Sequence, residues 1–159
     1  MWSFKKNSTN GLGGVLMVNE LLNGVSNQLY GKFGADYKYY VENVEQNLTK
    51  PCFTIDCIKP LLRSRSRVLY DRTAPLVIHY FSSDKENTKK DCYEKAELIV
   101  ETLEYVPLNG ALLRGENISW QMVEDVLQVF VTYKFITIKD TSNEDNMEVI
   151  EEDNVSTTN

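Results

Sequence analysis

The sequence is poor in the residues that most often carry catalysis or bind metals. It has one histidine, His79, and three cysteines, Cys52, Cys57 and Cys92, with no CxxC pair. Zinc sites need several such ligands at short spacings, and a catalytic histidine needs a nucleophile or an orienting carboxylate nearby. No Gly-x-Ser-x-Gly, HExxH or P-loop motif is present. We therefore expect no catalytic, cofactor-binding or metal-binding residues, and a structural role for His79.

Long apolar runs are also missing. No stretch approaches the roughly 20 apolar residues that a membrane-spanning helix needs. The apolar segment near the start, residues 12–18, is short and contains glycines, and no convincing cleavage site follows it. Three cysteines cannot all pair, so we interpret them as reduced thiols. These features predict neither a signal peptide nor a membrane span, and favour assembly in the cytoplasm.

Basic residues are absent from residues 140–159, which carry seven acidic side chains. The net charge of −6 is therefore uneven, because the rest of the chain has 17 basic and 16 acidic residues. The few apolar residues of this segment, Met147, Val149, Ile150 and Val155, cannot support a packed core. We expect an acidic tail that docks on a neighbouring protein, or alternatively one that only aids solubility.

The chain is predicted to have three parts. Residues 1–16 form a polar, glycine-rich lead that its composition makes flexible, and Met17 is an alternative start. Residues 17–139 are patterned throughout and are long enough to bury a core as one domain. Residues 140–159 are the acidic tail.

The most informative segment is the run over residues 127–138. Leu127, Val129, Val131, Tyr133 and Phe135 alternate with a second face that is mixed, and such alternation is typical of a half-buried strand. The second face carries Gln128, Thr132 and Lys134, but also Phe130, Ile136 and Ile138. A lone subunit would leave these apolar groups in water, so the pattern favours a building block of an assembly.

Helical and strand periodicities alternate along the rest of the chain. Helices are expected over residues 18–33 and about 85–105, and strands over residues 37–41, 52–58, 68–81, 112–122 and 126–138. The third strand should be bent or bulged at Pro75, which cannot donate to a ladder, and Glu124-Asp125 should turn the last hairpin. The order α-β-β-β-α-β-β predicts an α+β fold, with an antiparallel or mixed sheet of about five strands and two helices packed on it.

One charge feature is unusual. Arg63, Arg65 and Arg67 alternate with serines, so an extended chain would place all three arginines on one side. They could contact phosphate or the carboxylates of a neighbouring subunit, or they could form a solvated loop. Together with Phe130, Lys134 and Ile136, they are our candidates for a subunit interface or a ring lumen. The tyrosines and Trp120 are interpreted as core and interface residues, because no basic residues are interleaved with them.

Several short motifs, taken together, resemble one family. They are Gln46-Asn47-Leu48 followed by Pro51-Cys52-Phe53, the strand at residues 74–81, the helix end at residues 98–105, Leu113-Arg114-Gly115, and residues 125–133. In this order, over residues 18–139, they look like the tail terminator (tail completion) proteins of phages and prophages of Firmicutes.

The resemblance implies a structural protein of the virion with no catalytic residues. It implies a six-membered ring that caps the head-proximal end of the tail tube, stops tube polymerisation and offers a docking face to the neck. The implied partners are other copies of the chain, the tail tube and possibly a sheath protein, and the head-tail connector. DNA would pass through the lumen without sequence-specific binding.

Two other interpretations remain open at the level of sequence. The first is another neck adaptor, such as a head-tail connector. The second is a small intracellular enzyme or nucleic-acid-binding regulator, although the missing catalytic residues argue against the enzyme and the near-neutral body argues against the regulator.

Overall fold

A computed structural model describes residues 2–5, 13–42 and 46–139, and shows an α+β fold. The helices are α1 (Gly13–Phe33) and α2 (Thr88–Leu103). The strands are β1 (Trp2–Lys5), β2 (Lys38–Val41), β3 (Cys52–Cys57), β4 (Leu61–Ser64), β5 (Leu69–Phe81), β6 (Tyr105–Leu108), β7 (Ala111–Val123) and β8 (Val126–Ile138). The predicted class and element order are confirmed, and β1, β4 and β6 are additional strands.

The predicted division of the chain into three parts is not tested. Strand β1 lies within the segment expected to be a flexible lead, and α1 begins at Gly13, ahead of Met17. The acidic segment, residues 140–159, lies outside the described residues. The boundaries at residues 16 and 139 therefore stay predictions.

Two long antiparallel strands, β5 and β8, form the centre of the sheet. They pair along their whole length, from Leu69 opposite Ile138 to Tyr80 opposite Leu127. The sheet runs in the order β2-β3-β5-β8-β7-β6, with β4 also paired to β5 and β1 to β8. Strand β1 is parallel to β8, and β2 is parallel to β3, so the sheet is mixed. The Leu69–Ile138 end carries β4 on one side and β1 on the other.

Strands β3 and β4 are nearly one strand, interrupted at a bulge opposite Pro75. Both pair with β5 on the same side, and their registers differ by one residue across Ile58-Lys59-Pro60. The N–H of Ile58 donates to the carbonyl oxygen of Pro75 at 2.8 Å. Because N–H and C=O of one residue point the same way in an antiparallel strand, the missing N–H of Pro75 faces the bulge and not β8. This explains how a proline fits in a central strand. The bulge lies in the neighbouring chain segment, between β3 and β4, while β5 itself pairs with β8 without a register shift.

Both helices pack on the same face of the sheet and share one core with it. The stripe Cys92, Ala96, Ile99 and Leu103 of α2 is fully buried, as its helical spacing predicts, and Val100 is half-buried. Helix α1 contributes Leu21, Leu22, Val25 and Leu29. The sheet contributes every second residue of β8, from Leu127 to Phe135. The alternation seen in the sequence therefore separates a core face from a second, helix-free face.

Candidate functional site

The helix-free face is the side of the sheet that neither helix of the described chain covers. Strand alternation and register place on it Arg63 of β4, Asp71, Thr73 and Val77 of β5, Glu116 and Ser119 of β7, and Phe130, Thr132, Lys134 and Ile136 of β8. Five of the six residues predicted as interface candidates thus lie on, or reach, one surface.

Phe130 lies at the apolar centre of this face. It is half-buried and pairs with Val77 on β5 and with Ser119 on β7. Val77 is 6% exposed even though no helix lies over it, so its neighbours on the sheet already remove it from water. Ile136, also half-buried, pairs with Asp71 nearer the other end of β8. A patch of this composition becomes fully desolvated only when another surface packs on it.

Charged residues flank the apolar centre. The Nζ of Lys134 lies 2.9 Å from Oε2 of Glu116, with both side chains more than 40% exposed. Such an exposed pair contributes only about 0.2–1 kcal/mol, because water and salt screen it. Lys134 is therefore already paired within the subunit.

The arginine turn, residues 63–67, closes the hairpin between β4 and β5. Its backbone is ordered by hydrogen bonds from the N–H groups of Arg65 and Ser66 to the carbonyl oxygen of Leu69, at 2.9 and 3.2 Å. The Nε of Arg65 donates to Oδ2 of Asp71 at 3.2 Å, and its Nη2 lies 2.9 Å from Oδ1. Arg63 makes no ion pair with the described part of the chain. Arg67 lies in the bend itself.

Sequence reasoning missed an apolar surface beside these arginines. Leu61 and Leu62 are 60% and 51% exposed, and Ile58 is 41% exposed. Leu61 and Leu62 line a groove of about 410 Å³ that runs under α1 past Arg72 and Phe135. Because three arginines dominate this stretch, the sequence indicated a charge feature there and no strand. The adjacent leucines after Pro60 were the signal that could have revealed it.

The buried polar groups have local explanations. Nδ1 of His79 lies 3.2 Å from Oγ1 of Thr54, and burial lowers the pKa of His79 while the charge of Asp56 opposes this. Burial raises the pKa of all three cysteine thiols, which makes them poorer nucleophiles. Among the described residues, no group of three or more His, Cys, Asp and Glu side chains could hold a metal ion. In residues 2–5, 13–42 and 46–139, these groups do not form a cluster that resembles an active site.

A family model described as phage tail terminator protein matches residues 20–145. The chain belongs to the phage tail terminator family. This confirms the resemblance seen in the short motifs, while an origin in Firmicutes stays a prediction. None of the curated proteins compared with the chain matches it. One solved structure is 10% identical to the chain, and the match covers 82% of this chain and 98% of that structure with a TM-score of 0.45.

Membership makes the protein a structural component of a bacteriophage tail, found in the virion. The family associates with other phage tail and head proteins, and its structural role agrees with the expectation that the chain is not an enzyme. No helix in the described ranges is long and apolar enough to span a bilayer.

Proposed function

We propose that this tail terminator assembles into a closed ring of six copies through its helix-free face. The observation that carries the proposal is that Phe130, Val77 and, nearer the other end of β8, Ile136 lie on a sheet face that neither helix of the described residues covers. Covering such a face stabilises the assembly by about 25 cal/mol for each Å² of apolar area that is removed from water. A second copy is the partner most consistently available during assembly.

A ring also needs two different complementary surfaces on each subunit, because its contacts are heterologous. The arginine turn supplies a basic surface. The outer side of α2 supplies an acidic one, with exposed Glu94, Glu97 and Glu101, and with Glu104 directly after the helix. This complementarity supports our placement of Arg63, Arg65 and Arg67 at a subunit contact or at the ring lumen, where DNA would pass without sequence-specific contacts.

In the virion, the ring caps the head-proximal end of the tail tube, ends tube polymerisation and presents its other side to the neck connector. A sheath protein is a further partner if the tail is contractile. This role rests on family membership. A closed ring has two different sides, one for the tail tube and one for the neck connector, which is consistent with the role. The acidic tail, residues 140–159, would reach a neighbouring neck or tail protein.

A phage that lacks this gene tests the role directly. We expect electron micrographs of its lysates to show tubes of excessive and variable length, unattached to heads. Wild-type protein supplied from a plasmid should restore uniform, joined tails. A Tyr30→Asp variant, which places a negative charge on the exposed surface of α1, should do so as well. Tails of normal, uniform length that fail to join heads would contradict termination and would identify a neck adaptor instead.

A further inference from the structure

Strand β4 lies at an edge of the sheet. In the described part of the chain it pairs with β5 alone, and all four of its residues are exposed. Strand β2 lies on the same side of the sheet, where it pairs with β3 and reaches only as far as Ile55. The position beside β4, in line with β2, therefore fits an extended backbone from another molecule, which is how exposed sheet edges recruit partners.

The outward backbone groups of β4 follow from its pairing with β5. The carbonyl oxygen of Pro75 accepts a hydrogen bond from Ile58, on the β3–β4 side. Backbone groups alternate in direction along a strand, so Thr73, two residues earlier, points the same way. Its partner Leu61 therefore bonds with β5. Leu62, the next residue, directs its N–H and C=O away from β5, towards the outer edge.

The groove of about 410 Å³ lies beside this edge, on the core face of the sheet. Leu62 pairs with Arg72 on β5, and Arg72 pairs with Phe135 on β8. Directly paired residues share a face, and Phe135 belongs to the core face, so Leu62 lies on that face too. Leu62 lines the groove with Val18 and Ala74, and it is 51% exposed. Contact with a partner would therefore remove apolar surface from water.

Arg72 places a cation in the wall of this groove. Its side chain is half-buried, and its Nε donates to Oγ1 of Thr137 at 2.9 Å. Within residues 2–5, 13–42 and 46–139, no Asp or Glu side chain forms an ion pair with it. The two Nη atoms are the forked donors that bind a carboxylate through parallel hydrogen bonds. Glu42 lines the groove where β2 ends, so a partner's carboxylate is favoured at Arg72 and disfavoured at the other end.

We propose that β4 and this groove bind an extended segment of a neighbouring tail or neck protein. The segment pairs with β4 as an added strand, places an apolar side chain in the groove and sets a carboxylate on Arg72. In strand addition, main-chain hydrogen bonds supply affinity and pockets for alternate side chains supply specificity. The groove and the proposed ring interface lie on opposite faces of the sheet, so both contacts can form at once. That the partner is a tail or neck protein rests on the proposed function.

A library of random peptides, selected on the full-length protein, supplies the probes for a test. We expect enriched peptides to share an Asp or Glu two residues from an apolar residue, because alternate side chains of a strand lie on one face. Each peptide is labelled with fluorescein and titrated by anisotropy, beside a version with the corresponding amide. The amide should bind about tenfold more weakly, or worse, since a hydrogen-bonded charge is lost.

Variants of the protein locate the binding site. Arg72→Gln should weaken binding of the acidic peptide and abolish its advantage over the amide version. Arg114→Gln, at an exposed position of β7, is the matched control and should leave binding unchanged. Leu62→Pro should weaken binding more than Leu62→Ala, because both shorten the side chain but only proline removes the outward N–H. Position 62 is exposed, so this pair tests the site even where Arg72→Gln fails to fold.

Three results would overturn the proposal. The first is a set of enriched peptides without an acid, and the second is an Arg72→Gln variant that still prefers the acid to the amide. The third is that no peptide binds the full chain, since the protein itself or a second copy would then cover the groove. A protein that binds no such peptide and still terminates tails leaves the proposed function intact.

Discussion

The hydroxyl of Tyr133 donates a hydrogen bond of 2.6 Å to the carbonyl oxygen of Leu103. The contact joins the middle of β8 to the last residue of α2, and both residues are fully buried. A carbonyl in the last turn of a helix has no partner within the helix, so the tyrosine satisfies a group that would otherwise be buried unpaired. Burial raises the pKa of Tyr133, so the hydroxyl stays protonated and remains a donor.

Replacing Tyr133 with phenylalanine should therefore lower the free energy of unfolding by about 1–3 kcal/mol, the cost of leaving the Leu103 carbonyl buried without a partner. Urea unfolding followed by circular dichroism measures the change. Tyr40→Phe is the control, because its hydroxyl accepts only an exposed bond from the N–H of Thr49. That change should stay within about 0.5 kcal/mol. Equal effects of the two variants would show that the buried contact contributes little.

The backbone carbonyl of Leu103 also restricts the size of the residue at position 115. A Cβ on Gly115 would lie 2.7 Å from the oxygen of Leu103 and 2.8 Å from a methyl carbon of Val131. Gly115→Ala should destabilise the fold by about 1–3 kcal/mol, because the Leu103 oxygen belongs to the backbone and cannot move without shifting the end of α2. Gly31→Ala is the matched control, since nothing lies within 4 Å of its added methyl group. It should stabilise α1 by about 0.5–1 kcal/mol, so thermal melts of the two variants should shift in opposite directions.

The hairpin turn between β7 and β8 carries strain that can be relieved. Glu124 and Asp125 both have positive φ angles, of 48° and 62°. This is the conformation of a type I′ turn, which asparagine and glycine adopt at lower cost than glutamate and aspartate. The double change Glu124→Asn with Asp125→Gly should raise the free energy of unfolding by about 1 kcal/mol. A lowered melting temperature would show that the carboxylates themselves stabilise the turn.

Asp91 should make stability depend on pH in the acid range. Burial by itself would raise the pKa of Asp91, but hydrogen bonds from Ser82 and Tyr80, at 2.6 and 2.7 Å, and the charge of Lys95 outweigh it and lower the pKa below 3.8. A carboxyl group with a lowered pKa in the folded state stabilises the fold above its unfolded pKa, and this contribution is lost as pH falls through the folded pKa.

The advantage of the wild type over Asp91→Asn, measured by urea unfolding, should therefore shrink as pH falls below about 5. Glu94→Gln, on the exposed side of the same helix, is the control. Its difference from the wild type should change much less over this range. A constant difference for Asp91→Asn would show that the network stabilises the protein without depending on the charge of Asp91.

The sequence predicted the elements that have a clear burial period. The stripe of α2 and the alternation of β8 follow directly from the spacing of apolar residues, and these elements build most of the core. The turn at Glu124-Asp125 was found because it separates two alternating runs. The missing N–H of Pro75 indicated an irregularity at this position, but the bulge lies between β3 and β4 and not in β5 itself.

The strands that sequence reasoning missed lack such a period. All four residues of β4 are exposed, so its sequence shows no alternation of buried and exposed positions. It forms a strand because β5 extends beyond β3 and offers a pairing edge. In β6, buried and exposed residues do alternate, but the strand has only four residues and includes Pro107. This is too short a run for the pattern to be recognised in the sequence. The proximity of Lys139 to the arginine turn depends on the pairing of β5 with β8, which no local pattern contains.

The central claim is that the helix-free face joins the subunits of a ring. Native mass spectrometry of the purified protein tests it most directly, with Phe130→Asp combined with Ile136→Asp as the test variant and Tyr30→Asp as the control. Circular dichroism must first show that all three proteins are folded. Our account predicts six-membered assemblies for the wild type and the control, and monomers for the double variant. Intact rings formed by a folded double variant would contradict it and would place the subunit interface elsewhere.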